Sequence, residues 1–398
     1  MIERATLSSP LVPAVGAATP AGVMARWTAE ALVPVILRAT SQEATGAQMR
    51  VGGLRVIDRA IKQLARIRDA HVIIASDGSM RLPKKLPRNM EVRIVDAGDP
   101  DRAVNELAAE LKDPVIVGSD VVWLQANRPG RGTRVTDRAS RRAAEDTIFK
   151  DLLRGDLGLV ARFINKKISF RITRYLLVHL PLTPNMVTLL AGLVGLYGAL
   201  LIATGDQQNI VIGFLLAQLQ SILDGCDGEL ARVRFQQTAI GEWLDTIVDD
   251  VLNLALVLAT GLAVWHQGQQ FGPKGLSALA GGSFWDMNLA LAAAGMLLFY
   301  NVVAYRELIK QGEGGEVLKI RWWFAYGQSL KAVGSSDRPL KAVIYLGKRD
   351  FFVFVWLVLA FFDLLPVVIL YMLVLGVIYA GTALGQLLTP RWKLRPPA

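Results

Sequence analysis

Six stretches long and apolar enough to cross a bilayer constrain this chain more than any other feature. They lie at about residues 187–204, 209–227, 240–265, 287–306, 350–365 and 366–388, and one crossing takes roughly 20 residues of helix. The fifth is short, and only Asp363-Leu364-Leu365-Pro366 separates it from the sixth, so the two are expected to form a helical hairpin. Hydrophobic residues make up 52% of the chain and charged residues 20%. Both figures hold because apolar runs and charges occupy different regions, with soluble character up to about residue 175. Basic residues in the loops set orientation. Arg306, Lys310, Lys319, Arg321, Lys331, Arg338, Lys341, Lys348 and Arg349 lie between the fourth and fifth spans, whereas only Lys274 lies between the third and fourth. Arg391, Lys393 and Arg395 follow the last span. An even number of spans with both termini cytoplasmic satisfies this pattern, in a cell-membrane protein.

The net charge of +10 suits anionic head groups or phosphate-bearing substrates. Nucleic acid is not expected as a partner, because the basic residues border membrane spans. A single cysteine, Cys226, excludes an internal disulfide and argues against a thiol-ligated metal. Met1 to Thr28 lack a charged start followed by an apolar core, so no cleavable signal peptide is expected. Before the first span, Leu157 to Val178 set Arg162, Lys166, Lys167, Arg171 and Arg174 among apolar residues. Leu159, Phe163, Phe170 and Tyr175 fall roughly on one side, as in an interfacial helix; a helix docked on the soluble domain is the alternative. Further upstream, Val33–Leu37, His71–Ala75, Val92–Val95 and Pro114–Val117 are expected strands, with helices at about 55–68 and 101–112. That alternation predicts a mostly parallel sheet flanked by helices. The domains expected are an extension at 1–28, a soluble α/β domain at 29–140, a linker and interfacial helix at 141–182, a membrane domain at 183–390 and a cytoplasmic tail at 391–398. The fold class is therefore an α-helical polytopic membrane protein, with six transmembrane helices plus an interfacial helix, behind an N-terminal soluble α/β domain.

The chemistry is carried by Asp224-Gly225-Cys226-Asp227-Gly228-Glu229-Leu230-Ala231-Arg232, followed by Gly241, Asp245 and Asp249. Asp224 and Asp227 are three apart, so on a helix both project to one side, with Gly228 and Ala231 continuing it. Gly241, Asp245 and Asp249, four apart, make a second stripe. If the loop 233–240 turns the chain back, four carboxylates converge between neighbouring helices at the membrane edge. Such a cluster needs cations, and all-oxygen ligation selects Mg²⁺, Mn²⁺ or Ca²⁺. A divalent ion among carboxylates suits a diphosphate-bearing substrate. Gly228 and Ala231 allow close approach, and Arg232 offers a cationic fork for phosphate. An acid set apart from the metal load could accept a proton from an attacking hydroxyl. A single aspartate at a helix end is usually a solvated cap. Intramembrane acids also build cation pathways in transporters, but those lie near mid-bilayer on broken helices.

The pattern D-x-x-D-G-x-x-A-R, eight residues, then G-x-x-x-D-x-x-x-D resembles the signature of the CDP-alcohol phosphotransferases, or CDP-alcohol phosphatidyltransferases, at every fixed position. Thr183-Pro184-Asn185-Met186-Val187-Thr188 resembles the segment leading into that family's first span. The resemblance covers roughly residues 155–390. It implies a six-helix fold, usually a homodimer, with a pair of Mg²⁺ or Mn²⁺ ions between the second and third spans. By it, Asp224, Asp227, Asp245 and Asp249 make up the metal site, and Asp249 also acts as general base. Asp224, Gly228, Ala231, Arg232 and Gly241 would line the CDP pocket. The implied reaction, in phospholipid biosynthesis, is attack by a polar alcohol on the β-phosphate of CDP-diacylglycerol or another CDP-alcohol, releasing CMP.

Asn165-Lys166-Lys167-Ile168-Ser169 and Lys348-Arg349-Asp350-Phe351-Phe352 resemble the branch that makes inositol-phosphate lipids and di-inositol phosphate. Lys348 and Arg349 would then hold the phosphate of an inositol or other polyol phosphate acceptor; positive-inside flanking explains them equally well. His71, His179 and His266 are scattered and expected to be structural. The front domain resembles sugar-phosphate nucleotidyltransferases through Val51–Arg59 and Gly118-Ser119-Asp120. Arg38-Ala39-Thr40-Ser41-Gln42 stands where a glycine-rich loop with free N–H groups would be needed. An inactive scaffold or regulatory domain is expected; a bifunctional enzyme that makes its own CDP-alcohol is the alternative.

Overall fold

The computed structural model describes residues 33–389 apart from 67–69, 84, 89, 97, 112–113, 124–131, 153–159, 272–283, 313, 316 and 326–346. The expected extension at 1–28 and tail at 391–398 lie outside the described residues, as do Leu157, Leu159, Lys274, Lys331, Arg338 and Lys341. The chain divides near Gly155 into two compact units.

The first unit is built on strands β1 (Val33–Ala39), β4 (Ala70–Ser76), β5 (Met90–Ile94) and β6 (Val115–Gly118), all parallel in the order β5-β4-β1-β6. The four expected strands all form. Val35, Ile36, Leu37, Val72, Ile73 and Ile74 are buried, which is why β1 and β4 read as continuous apolar runs rather than alternating ones. Between them come helix α1 (Ala44–Gln48), a hairpin of β2 (Arg50–Val51) and β3 (Leu54–Arg55), and helix α2 (Val56–Leu64). Gly52 and Gly53 turn that hairpin with φ of 56° and 80°, a region open to glycine without strain. Helix α3 (Pro100–Ala109) starts on Asp99, whose side chain accepts the Arg102 N–H at 3.1 Å. The pair β7 (Val121–Trp123) and β8 (Gly132–Arg134) and helix α4 (Arg138–Leu152) complete the unit.

In open parallel sheets, ligands bind beyond the carboxyl ends of the strands. Here those ends are tied together by ion pairs. Buried Glu43 pairs with Arg38 and lies 3.8 Å from Arg134, which holds Asp120 at 2.6 Å. Arg38 also reaches Asp101 at 2.6 Å. Thr40 donates both its N–H and its hydroxyl to Glu43, and the Ser41 N–H goes to Asp77 at 2.7 Å. Desolvation pushes the Asp77 carboxyl up, but hydrogen bonds from Ser79 and Ser41 outweigh it and hold the pKa at about 2. Burial pushes Asp120 up, against the pull of Arg134.

The second unit opens with helix α5 (Lys166–Tyr175), continuous with a wider turn at Ala161–Asn165. Then come α6 (Pro184–Ala203), α7 (Gln207–Arg234), α8 (Ala239–Phe271), α9 (Phe284–Gln311), α10 (Arg349–Phe361) and α11 (Leu365–Leu388). Thr183 caps α6 by accepting the Met186 N–H at 3.3 Å, with Pro184 at its first position. Where α6 crosses α7, an added Cβ on Gly198 would meet the Gly213 carbonyl oxygen at 2.7 Å. Glycine is therefore what lets these backbones touch. The core gathers Ile210, Phe214, Leu256, Ala263, Trp356 and Ile369, while Leu189, Leu193, Leu196 and Leu200 point outward on α6. Those outward leucines suit lipid rather than water.

Among the described residues, five helices are long and apolar enough to cross a membrane. The fifth expected span forms only the 13-residue α10, about 20 Å at 1.5 Å per residue, short of a bilayer core. Its stretch ended at 365, but Asp363 takes a φ of 56° and breaks the helix before α11 begins. The result is the expected hairpin with one short arm.

Replacing Glu43 by alanine leaves the buried Thr40 hydroxyl without its acceptor and removes one partner of Arg38, which keeps Asp101, at a cost of about 1–3 kcal/mol to the soluble unit. In limited proteolysis of the full chain, cleavage within 33–152 should accelerate. Unchanged protection would show the ion pairs to be incidental.

Candidate active site

The site grows from the turn between α7 and α8. Phe235, with a φ of 56°, ends α7, and Ala239 opens α8. The chain thus doubles back within the expected loop 233–240. The Asp224–Asp227 stripe of α7 and the Gly241–Asp245 stripe of α8 then meet. Carboxylate oxygens of Asp224, Asp227 and Asp245 lie within 4.8 Å of one another. Asp227 accepts from the Thr188 hydroxyl of α6 and from the Gly228 N–H. Asp245 Oδ1 is buried without a hydrogen-bond partner.

Asp249 stands outside that trio. Its carboxylate pairs with Arg349 at the start of α10 and accepts a 3.4 Å bond from Gln220 Nε2. A cavity of about 540 Å³ opens beside the acids, lined by Asp227, Gly228, Ala231, Arg232, Gly241, Asp245, Asp249 and Arg349; Asp224, expected in the CDP pocket, does not line it. A Cβ at Gly228 would project into open space, its nearest neighbour being Arg232 Nη2 at 3.8 Å, so glycine widens the cavity at the wall nearest Asp227. Lys348 does not line this cavity. It lines a second one of about 510 Å³, which meets the first at Asp250, Asn253, Val317 and Arg349.

The opposite face of α7 carries a polar ladder to α5. Buried Glu229 accepts from Lys166 Nζ at 2.9 Å, and from Ser169 and Thr173 hydroxyls at 2.8 Å. Asn165 donates to Ser221 at 3.1 Å and accepts from Gln218 at 2.8 Å. Asp350 Oδ2 accepts the Ala161 N–H at 2.8 Å. With its polar side so engaged, α5 leaves Phe163 and Tyr175 exposed. His266 Nδ1 donates to the Ala203 carbonyl, 3.1 Å away, joining α8 to the end of α6.

Several site residues carried a signal that the motif alone passes over. Asn253 continues the four-residue stripe of Gly241, Asp245 and Asp249, and Gln220 precedes Asp224 by four. Thr188 was visible only as part of the lead-in segment. Arg349 stood out as a basic residue, but its pairing with Asp249 joins positions 100 apart.

The fold and the site define a polytopic membrane protein with an all-oxygen carboxylate centre beside a cavity of substrate size. The family model for CDP-alcohol phosphatidyltransferase matches residues 181–379, and the chain belongs to that family. Relatives named "Bifunctional IPC transferase and DIPP synthase" are similar to it. The one from Aquifex aeolicus is 31% identical over 40% of this chain and 34% of its own length. The Archaeoglobus fulgidus protein is 28% identical over 54% and 39%, and the Rubrobacter xylanophilus protein 39% identical over 35% and 31%. The match thus spans between about a third and two fifths of these relatives.

The donor set fits a hard divalent cation: three carboxylates converge, and among the described residues no lysine or arginine forms an ion pair with any of them. Saturating Mn²⁺ or Mg²⁺, at about a hundredfold over Kd, should stabilise the purified protein by about 2.7 kcal/mol. Asp245→Asn should raise the unfolding temperature without metal, by relieving repulsion, and abolish most of the metal increment. A metal response unaffected by that substitution would place the ion elsewhere.

Proposed function

We propose that the protein transfers the phosphate-linked alcohol of a CDP-alcohol, CDP-diacylglycerol in the first instance, to an acceptor alcohol with release of CMP. The observation that carries this reading is the carboxylate trio within 4.8 Å, two of whose members, Asp227 and Asp245, line a cavity together with Gly228, Ala231 and Arg232. Asp224, Asp227 and Asp245 would hold one or two Mg²⁺ or Mn²⁺ ions. A cation bound there neutralises phosphate charge and the charge developing on the leaving CMP. Gly228, Ala231 and Gly241 leave room for the nucleotide, and Arg232 offers its guanidinium to a phosphate. Asp249, apart from the trio and oriented by Arg349 and Gln220, takes the proton of the attacking hydroxyl. The alcohol oxygen forms a new bond to the β-phosphorus, the bond from that phosphorus to the bridging oxygen breaks, and CMP departs with the electron pair.

A polyol phosphate acceptor would have to compete with Asp249 for Arg349, while Lys348 stands in the adjoining cavity. We place the enzyme in the cell membrane as a homodimer with both termini cytoplasmic, on the loop charges and the family resemblance. For the front domain we propose a scaffold without nucleotidyl transfer. Thr40 and Ser41 N–H groups, which a triphosphate would need, are spent on Glu43 and Asp77. The relatives' bifunctional names are compatible with the competing reading, in which this domain also makes the CDP-alcohol from CTP, without favouring it.

Purified protein given CDP-diacylglycerol and a panel of acceptor alcohols should release CMP only with Mg²⁺ or Mn²⁺. Asp249→Asn should lower turnover by at least about a hundredfold while CDP still binds; full activity in that variant removes Asp249 from its role. The same chain given CTP and sugar phosphates should release no pyrophosphate, and sustained release would establish the bifunctional reading.

A further inference from the structure

The soluble unit carries a cavity of its own, of about 410 Å³. It is lined by residues of β3 and α2, by the loop between β4 and β5, and by Phe235. The tripeptide Val233–Phe235 packs as part of this unit. Arg38, Glu43, Asp77, Asp101 and Asp120, which tie the strand ends together, are not among the lining residues. Four lining side chains are cationic, Arg55, Lys62, Arg66 and Lys85, against the one carboxylate of Asp58.

Arg55 is committed to the fold. Its Nε and Nη2 hold the two Asp58 oxygens at 2.7 Å. Its Nη1 reaches Gln48 at 3.0 Å and the Arg81 carbonyl at 2.8 Å. Arg55 thereby neutralises the carboxylate and clamps the β4–β5 loop to the start of α2. On that loop Leu82 and Leu86 pack against the core, and Pro83 and Pro87 have φ fixed by their rings. The Pro87 carbonyl accepts the Met90 N–H at 3.1 Å. Lys85 is thus carried on stiff backbone.

The other two cations come from the end of α2. Lys62 and Arg66 are four apart, and the Ala65 and Arg66 N–H groups, bonded to the Ile61 and Gln63 carbonyls, continue the turn between them. Lys62 Nζ reaches the Arg234 carbonyl at 3.4 Å, a long contact that engages one of its three donors. The Arg66 guanidinium lies 4.8 Å from the Phe235 ring centre. The carbonyl end of a helix favours cations, and this alone would explain Lys62 and Arg66. It does not explain Lys85, brought to the same cavity by a separate loop.

Three cations around a recess whose acid is already neutralised repel one another and suit a multiply charged anion. A carboxylate or a phosphodiester brings one negative charge. A phosphate monoester brings about 1.5 to 2 at neutral pH, with three acceptor oxygens for ammonium and guanidinium donors. The volume suits a compact head rather than a flat surface.

We propose that this recess binds a phosphate monoester, with Lys62, Arg66 and Lys85 as its donors and Phe235 as its apolar edge. A small metabolite and a lipid head group both offer that chemistry. The site shares no lining residue with the carboxylate centre, carries no reaction, and gives the soluble unit a ligand of its own. It does not depend on the transferase reading.

The test uses the purified full chain in phosphatidylcholine discs without divalent metal and reads its unfolding temperature. One arm adds inorganic phosphate; the other replaces part of the lipid by phosphatidic acid. Stabilisation by free phosphate assigns the site to a soluble ligand, and stabilisation by phosphatidic acid alone assigns it to a head group. Chloride at equal ionic strength and phosphatidylglycerol, a diester, should do neither. Lys62→Gln and Lys85→Gln should each raise the half-effective level of the stabilising probe about three- to tenfold. The response of both variants to Mn²⁺ should stay that of the parent, which shows the fold intact. Arg232→Gln should leave the phosphate response unchanged. No response in either arm, a response equalled by chloride or phosphatidylglycerol, or one that survives both lysine substitutions overturns the proposal. Loss of the response in Arg232→Gln would assign the phosphate to the carboxylate site and overturn it as well.

Discussion

The approach of α7 and α8 is the constraint on which the rest of the membrane unit depends. Bringing Asp224, Asp227 and Asp245 within 4.8 Å opposes both solvation and charge repulsion, since like charges in a low-dielectric setting disfavour one another strongly. Helix packing has to hold what the side chains resist. It does so with small residues where α6 meets α7 at Gly198 and Gly213, and with an interlocked core of Phe214, Leu256 and Trp356. The Thr188 hydroxyl and the Gly228 N–H offset part of the repulsion at Asp227.

Helix α7 serves two partners through opposite faces. One face carries the acids toward α8. The other carries Gln218, Ser221 and Glu229 toward α5, where Lys166, Ser169 and Thr173 saturate the buried Glu229 carboxylate. The juxtamembrane helix is thereby fixed against the same helix that presents the acids, with its apolar Phe163 and Tyr175 left facing outward. Glu229 sits inside the signature at a position where the pattern allows any residue. Its importance here comes from what faces it, two turns of α5 with matched donors.

Whatever depended on helical spacing was legible in the amino-acid sequence. The three- and four-residue steps of Asp224, Asp227, Gly241, Asp245 and Asp249 locate the site because helix geometry is local. The parallel sheet was legible for the same reason: β1 and β4 are unbroken apolar runs between helical patterns. Contacts between distant positions were not legible. Nothing near Asp249 announces Arg349, 100 residues on, and nothing near Asp227 announces Thr188, 39 residues back. The point where α10 ends was less legible than its shortness, because Phe362 and Leu364 are as apolar as a continuing helix would be. Only the backbone turn at Asp363 ends it.

The two units treat buried carboxylates in opposite ways, and the difference lies in where the counter-charge comes from. At the strand ends of the soluble unit, Glu43 and Asp120 are neutralised from within by Arg38 and Arg134. Backbone donors beside them are spent as well. Such a site is closed, since a ligand would have to break ion pairs whose partners then remain buried and uncompensated. In the membrane unit the nearby cations are directed elsewhere: Lys166 to Glu229, and Arg349 to Asp249. Among the described residues the trio's hydrogen bonds come from the Thr188 hydroxyl and the Gly228 N–H, which cannot cancel its charge. Three converging carboxylates without an ion pair among the described residues suit a cation from outside. Asp249, by contrast, is an acid of the signature that pairs with an arginine.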